Sequence, residues 1–384
     1  MACRPRSNMS RYYFDHNATT PVSPEVLQAM APAWSEVFGN ASSIHTFGQQ
    51  ARKLLDDARR DVAAMIGASA KEVVFTSGGT ESDNTAIFGF GKLGHVITTS
   101  AEHPAILQAA SQLPWVSVIP VDRNGLVNLD DVRRAIRPRT KLISVMHVNN
   151  ELGVIQPIAD IAKIAHDEGI LFHSDGVQAP GKIPIDVKKL GVDLYSISAH
   201  KIYGPKGVGA LYVRKDTELP PLMYGGPHEN KLRAGTENVP GAVGFGRAAK
   251  WIVENGVAEA ARLGALRDRL EQGILDRVPD AHVNGAGAPR VPNTSNIRFD
   301  GIDSEPLLIA LDLRGFAVSS GSACSSGATE PSHVLAAIGL TREQAKSSIR
   351  ISLGRSNTVE QVDALIEAVG HVVAHLRKLA PAYA

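Results

Sequence analysis

Hydrophobic and polar positions change their rhythm twice along this chain. From residue 49 to residue 66 apolar side chains recur at helical spacing, with Leu54, Leu55, Ala58, Val62 and Met65 in phase, which predicts an amphipathic helix. Short runs rich in β-branched residues follow at 73–76, 96–99, 116–121, 142–148, 171–173, 194–197 and 210–213. Most are apolar at consecutive rather than alternate positions, as strands covered on both faces are. Helical patterns separate them at 80–90, 104–112, 130–136 and 158–168. This alternation predicts an α/β fold around a mostly parallel sheet of about seven strands.

Beyond Gly241 the texture changes. A long helical stretch reaches to about Val278, followed by the Gly/Pro-rich segment 284–292. Short strand patterns at 295–299, 317–319 and 348–352 then alternate with helices. The last pattern, 359–379, is amphipathic, with Val362, Leu365, Ile366, Val369, Val373 and Leu376 on one face. Thr358 is placed to cap its start. These elements predict a second, smaller α+β domain.

Composition narrows the function classes. A chain of 384 residues fits one large and one smaller domain. Its 43% hydrophobic and 21% charged residues are ordinary for a soluble globular protein. Net charge is +1, and basic residues interleave with acidic ones, as in 52–61, so nucleic acid is not expected as a partner. No apolar run approaches the roughly 18 residues of a membrane span. Residues 1–10 carry Arg4 and Arg6 but no apolar segment, unlike a secretory signal. They read as a disordered extension, with Met9 an alternative start, and the expected compartment is the cytoplasm. The two cysteines, Cys3 and Cys324, make no disulfide framework, and no Cys or His spacing closes a metal shell. Cys324 is left as a candidate reactive thiol.

Five segments could carry chemistry. Lys201 follows the strand pattern 194–197 in Ser198-Ala199-His200-Lys201. A lysine at a strand end can serve as a Schiff-base nucleophile, or simply be an exposed loop residue. Asp175 ends the preceding strand, so both side chains fall at the carboxyl edge of the sheet, where open α/β sheets bind ligands. Pyridoxal phosphate requires such a carboxylate for its ring nitrogen; a turn cap is the plainer reading. In Thr76-Ser77-Gly78-Gly79-Thr80-Glu81-Ser82, two glycines join a strand to a helix, and backbone N–H groups there can hold a phosphate. The segment matches neither a Walker loop nor a dinucleotide fingerprint. His103 precedes a helix and could stack on a ring, or be only a loop residue. Finally, 319–328 is ten small residues with one thiol, a run that gains little from ordering and is expected to be mobile.

Together these segments resemble the cysteine desulfurases of the NifS/IscS type, in the class V aminotransferase group of fold-type I enzymes. The resemblance runs from Tyr13-Phe14-Asp15-His16-Asn17-Ala18-Thr19-Thr20 to the last helix. It includes 38–40, 76–84, 102–103, 146–153, 198–209, 233–238 and 319–324. It implies a fold-type I transferase dependent on pyridoxal 5'-phosphate. Residues 11–30 would pack on the small domain, 31–255 form the large cofactor-binding domain, and 256–384 form the small domain with the Cys324 loop.

The implied roles follow residue by residue. Lys201 holds the cofactor covalently and shuttles the Cα proton; Asp175 pairs with the ring nitrogen, and Gln178 bonds the phenolic oxygen. His103 stacks on the ring, and Asn150 contacts cofactor and substrate. Gly79, Thr80, Ser198 and His200 hold the phosphate, with Thr236 reaching it from the other subunit of a homodimer. Arg350 binds the carboxylate of L-cysteine in a two-pronged contact. Cys324 takes the sulfur as a persulfide and passes it to an acceptor such as an iron–sulfur scaffold. No resident metal is implied, with Cys324 a candidate transient iron–sulfur ligand.

The loop and its neighbour Glu330-Pro331-Ser332-His333 resemble the long-loop branch, and 233–238 with 376–381 lean toward NifS-like members. Two departures stand out. Gly176 replaces the usual alanine and would loosen the turn after Asp175. The chain also ends at Ala384, without the tail that IscS-like members dock with. Competing readings are a selenocysteine lyase, a desulfurase serving tRNA or cofactor thiolation, a simple aminotransferase, a sulfur carrier without catalysis and a dinucleotide oxidoreductase.

Overall fold

A computed structural model describes residues 11–320 and 331–379, so Cys3 and Cys324 lie outside the described residues. After a two-residue strand, β1 (Tyr12–Tyr13), seven strands build the main sheet. They are β2 (Val73–Thr76), β3 (His95–Thr99), β4 (Val116–Ile119), β5 (Thr140–Ser144), β6 (Leu171–Asp175), β7 (Leu194–Ser198) and β8 (Gly209–Val213). Their order is β2-β8-β7-β6-β5-β3-β4, with β8 antiparallel to both neighbours and every other pair parallel.

Consecutive residues of these strands enter different cores, because side chains alternate across a pleated sheet. Ile97, Ile143, Tyr195 and Tyr212 pack under the helix Thr46–Ile66 and the start of Val239–Arg277. Val96, Leu142, Leu194 and Leu211 pack on the other face with Ile87, Phe90 and Ile106. Both faces are covered, which is why the strands read as unbroken apolar runs.

One expectation shifts. The run 142–148 forms a ladder only as far as Ser144. Met146 then gives its N–H to the buried Glu102 carboxylate at 2.9 Å, while the Val145 and His147 N–H groups still bond the His173 and Asp175 carbonyls of β6.

The second part holds β9 (Ala281–Val283), β10 (Thr294–Phe299), β11 (Phe316–Ala317) and β12 (Ser348–Ser352). Strands β12-β10-β9 form an antiparallel sheet, and β1 pairs with β11 in parallel. Phe14, Phe299, Ile349 and Ile351 pack there against Val362, Leu365, Val369 and Val373 of the helix Val359–Leu379. Thr358 caps that helix as expected, its hydroxyl accepting the Gln361 N–H at 3.3 Å.

One helix of 39 residues, Val239–Arg277, serves both cores. Its first half buries Ala242, Phe245 and Ala249 in the main core, and its second half buries Leu263, Leu270 and Ile274 in the other. Gly246 lets it cross the helix Thr46–Ile66 closely, since a Cβ there would stand 2.7 Å from Ala58 Cα. No helix among the described residues is long and apolar enough to cross a membrane.

Candidate active site

The carboxyl ends of β2, β6 and β7 meet at one edge of the main sheet. Asp175 is the last residue of β6 and Ser198 the last of β7, and one helical turn then carries His200 and Lys201. Strand β2 leads through Ser77 and Gly78 into the helix Gly79–Gly91. A cavity of about 360 Å³ opens between them. Ten predicted residues line it: Gly79, Thr80, His103, Asn150, Asp175, Gln178, Ser198, His200, Lys201 and Arg350. Thr236 does not; it is exposed in the stretch before the long helix. Cys324 falls outside the described residues.

The helix start is built to receive an anion. Gly78 offers no side-chain cap, and the N–H groups of Gly79 and Thr80 make no hydrogen bond among the described residues. Such orphan donors at a helix N-terminus suit a phosphate. A Cβ on Gly79 would meet Val177 Cγ2 at 2.7 Å, so glycine is needed for the turn to pack.

The strand feeding that turn is pinned from outside. Glu229 accepts both terminal nitrogens of Arg59, at 2.6 and 2.7 Å, and the Phe75 N–H at 2.9 Å. Arg59 also donates to the Val73 carbonyl at 2.7 Å.

Asp175 is 6% exposed, and its carboxylate accepts a single hydrogen bond among the described residues, from the Val177 N–H at 2.9 Å. Burial raises its pKa above the ordinary carboxylate value, while His103, the Val177 N–H and Lys201 oppose that rise. A buried carboxyl with one partner is matched by a protonated ring nitrogen. His103 caps the helix Pro104–Ala110 through Nδ1, which accepts the Ala105 N–H at 3.1 Å. Its neutral ring therefore carries the proton on Nε2. Burial lowers its pKa, Asp175 opposes, and Lys201 and His333 add to the lowering.

Lys201 Nζ donates to the carbonyls of Asn17 and Ala18 at 2.6 and 2.8 Å. Arg350, 2% exposed in the middle of β12, donates to Asp15 Oδ1 at 2.6 Å and to the Asn150 carbonyl at 3.1 Å. The main chain of Arg350 also bridges Ser319, with N–O distances of 2.6 and 3.1 Å. On the far side of 321–330, the Ser332 hydroxyl donates to Glu151 at 2.6 Å, and His333 Nε2 bonds the Glu102 carbonyl at 2.8 Å. Both ends of the segment holding Cys324 are thus tied beside cavity residues.

Several residues of the site receive no role from the sequence, although Asn17, Asp83 and Glu102 lie in stretches that carry the resemblance. Asn17 bonds Lys201, Gln178 and Lys182, and Lys182 also bonds Gln178. Glu102 is fully buried, which pushes its pKa up to about 8, with the Met146 N–H and the Thr99 hydroxyl opposing. Asp83 lines the cavity beside Asp175, and burial together with that second carboxyl raises its pKa strongly.

Gly176 corrects an expectation. It does not loosen the turn: a Cβ there would stand 2.0 Å from the Tyr195 ring, whose hydroxyl bonds His147 Nδ1 at 2.7 Å. The missing methyl is replaced by a buried phenol. Among the described residues no group of His, Cys, Asp and Glu is arranged to hold a metal ion.

Residues 12–365 match a family model described as Aminotransferase class-V. The chain is 47% identical over 378 residues to a cysteine desulfurase IscS of Dictyoglomus turgidum, covering 96% of each sequence. The solved structure of a NifS-like protein from Rickettsia africae ESF-5 is similar at TM-score 0.88 and 35% identity, over 95% of this chain and 99% of that one. SspA in complex with cysteine is similar at TM-score 0.80 and 38% identity, over 89% and 98% respectively.

Proposed function

This chain belongs to the class-V aminotransferase family, among the cysteine desulfurases, and from that premise we propose how its residues divide the work. The enzyme takes sulfur from L-cysteine, releases L-alanine and carries the sulfur as a persulfide on Cys324. The observation that carries this reading is the meeting of Lys201, Asp175 and Arg350 in one cavity, with Asp175 at the end of β6, Lys201 one turn beyond β7 and Arg350 within β12.

Pyridoxal phosphate fits the residues present. The orphan N–H groups of Gly79 and Thr80, with the hydroxyls of Thr80 and Ser198 and the His200 ring, suit its phosphate. Asp175 suits its ring nitrogen, Gln178 its phenolic oxygen, the His103 ring its face, and Lys201 its aldehyde carbon. When bound, the cofactor supplies a sink for the electrons left when the substrate loses its Cα proton.

The chain's own groups do the rest. Arg350 binds the substrate carboxylate with two N–H groups, and Asn150 lies beside it. Lys201 accepts the Cα proton, and His103 holds a proton at Nε2 facing the same space. The Cys324 thiolate attacks the sulfur of the substrate. A sulfur–sulfur bond forms as the carbon–sulfur bond breaks; the electron pair stays on carbon, which takes a proton and leaves as alanine. Thr236 reaches the phosphate of the other subunit in a homodimer. The persulfide passes to an acceptor protein in the cytoplasm, for iron–sulfur cluster assembly.

Cys324→Ser tests this. The variant is expected to bind the cofactor and L-cysteine as the parent does, while forming neither persulfide nor sulfide. Desulfuration at the parent rate would refute the assignment.

A further inference from the structure

A second lysine stands behind the site. Lys182 donates from Nζ to Asn17 Oδ1 at 3.0 Å and to Gln178 Oε1. Gln178 in turn donates from Nε2 to the Asn17 main-chain carbonyl at 3.0 Å. An ammonium only donates and a carbonyl only accepts, so these two partners dictate which way the Gln178 amide faces. Turned over, the amide would set its oxygen against a carbonyl and its NH₂ against an ammonium, trading two attractions for two repulsions.

Asn17 has no freedom to adapt. Its Nδ2 donates to the Asn150 carbonyl at 3.1 Å and to Thr294 Oγ1 at 2.8 Å, which fixes Oδ1 toward Lys182. Burial, and then the charges of Lys201 and Arg350, push the Lys182 pKa well below the ordinary lysine value. Even a neutral amine has two N–H groups, one for each of its acceptors. With Nε2 turned to Asn17, Gln178 keeps one N–H in hand, and Gln178 lines the cavity.

We infer that Lys182 is a positioning residue that holds the Gln178 amide with its remaining N–H toward the phenolic oxygen of the cofactor. The inference rests on the reading that Gln178 bonds that oxygen. Such a bond drains negative charge that otherwise retains the neighbouring proton of the Lys201-linked chromophore. Losing it raises the pH midpoint of the visible colour change, by roughly half to one unit for a neutral hydrogen bond.

The experiment is a double-variant cycle on the cofactor-loaded enzyme, read as that spectroscopic midpoint, with thermal melting to confirm folding. Gln178→Ala is expected to raise the midpoint by roughly half to one unit, and Lys182→Met by up to the same amount. In the Gln178→Ala background, Lys182→Met is expected to lose more than half of its own shift. An equal Lys182→Met shift in both backgrounds means that it acts through charge alone, and overturns the inference. A Gln178→Ala shift with none from Lys182→Met overturns the inference and leaves the Gln178 reading standing. No shift from Gln178→Ala overturns both. If Lys182→Met does not fold, Lys182→Gln, a shorter neutral side chain, is read in the same cycle against the same outcomes.

Discussion

The Arg59–Glu229 pair offers the sharpest test of how the phosphate turn is supported. The Arg59 and Glu229 side chains are 13% and 3% exposed, and Glu229 gathers three N–H donors. Glu229→Ala leaves the guanidinium buried with one remaining acceptor, the Val73 carbonyl. Removing one member of a buried pair costs about 3–5 kcal/mol.

An offset comes from the backbone. Glu229, Asn230 and Lys231 all sit at positive φ, 45°, 56° and 67°, a conformation that costs an L-residue about 1–2 kcal/mol. Freed of its anchor, the turn can relax, so the net loss should fall near the low end, about 3 kcal/mol. Unfolding entropy near 2.1 cal/mol/K per residue gives about 0.8 kcal/mol per degree for a chain this long. The expected drop in Tm is therefore about 4 °C.

The assay is thermal unfolding of the cofactor-free protein followed by circular dichroism, which keeps ligand binding out of the comparison. Glu229→Gln, which keeps the shape and one acceptor oxygen, should lose about half as much. Because Phe75 is one residue from the end of β2, both variants should also weaken cofactor binding. Melting of both within about 1 °C of the parent would refute the reasoning.

Three further outcomes follow from the site. Asp175→Asn removes the buried charge facing the ring nitrogen and should lower kcat roughly 10²–10³-fold, the equivalent of about 3–4 kcal/mol; a fall of less than tenfold would contradict its role. Arg350→Lys keeps the charge but loses the two-pronged contact, so KM for L-cysteine should rise roughly 10–100-fold with cofactor loading unchanged; an unchanged KM would remove Arg350 from substrate binding. Acid should destabilise the fold. Burial lowers the pKa of His16 and His147 to about 4 and of His173 to about 3. A depressed histidine stabilises the fold above its unfolded pKa of about 6.5 and loses that contribution as pH falls toward the folded value, at about 1.4 kcal/mol per pH unit each. Glu102, raised to about 8, works in the opposite sense between about 4.5 and 8, and the buried Asp83, Glu151 and Asp175 carboxyls, also raised, act with it, while His103 and His200, also lowered by burial, join the three histidines. Tm should therefore fall from about pH 6.5 to 4.5, less steeply than the histidines alone would make it, and a Tm that rises over that range would show that these rings are not held neutral.

The frame of this molecule was legible because its signals are local. Apolar runs marked each strand of the main sheet, and strand connectivity alone put Asp175 and Lys201 at the same edge. The missing parts depend on contacts distant in sequence. Nothing in the vicinity of Asn17 announces that its side chain bonds Thr294, or that its main chain receives Lys201. Lys182 reads as one more surface lysine until Gln178, four residues earlier, turns out to share it. Arg350 is named through the resemblance alone, because it lies within a strand whose burial comes from the sheet and helices around it. Gly176 misled for the same reason: the space beside it is filled by Tyr195, from the neighbouring strand.

The 39-residue helix Val239–Arg277 has a consequence for how the protein comes apart. At 1.5 Å per residue it is a rod of about 58 Å, without an internal proline after Pro240 and with side chains committed to both cores. Neither core can melt without stripping one half of the rod of its packing, and an isolated helical half is marginal in water. Denaturant should therefore release both cores in one cooperative step. In native-state hydrogen exchange, the central amides of this helix should open only with the largest, global fluctuation.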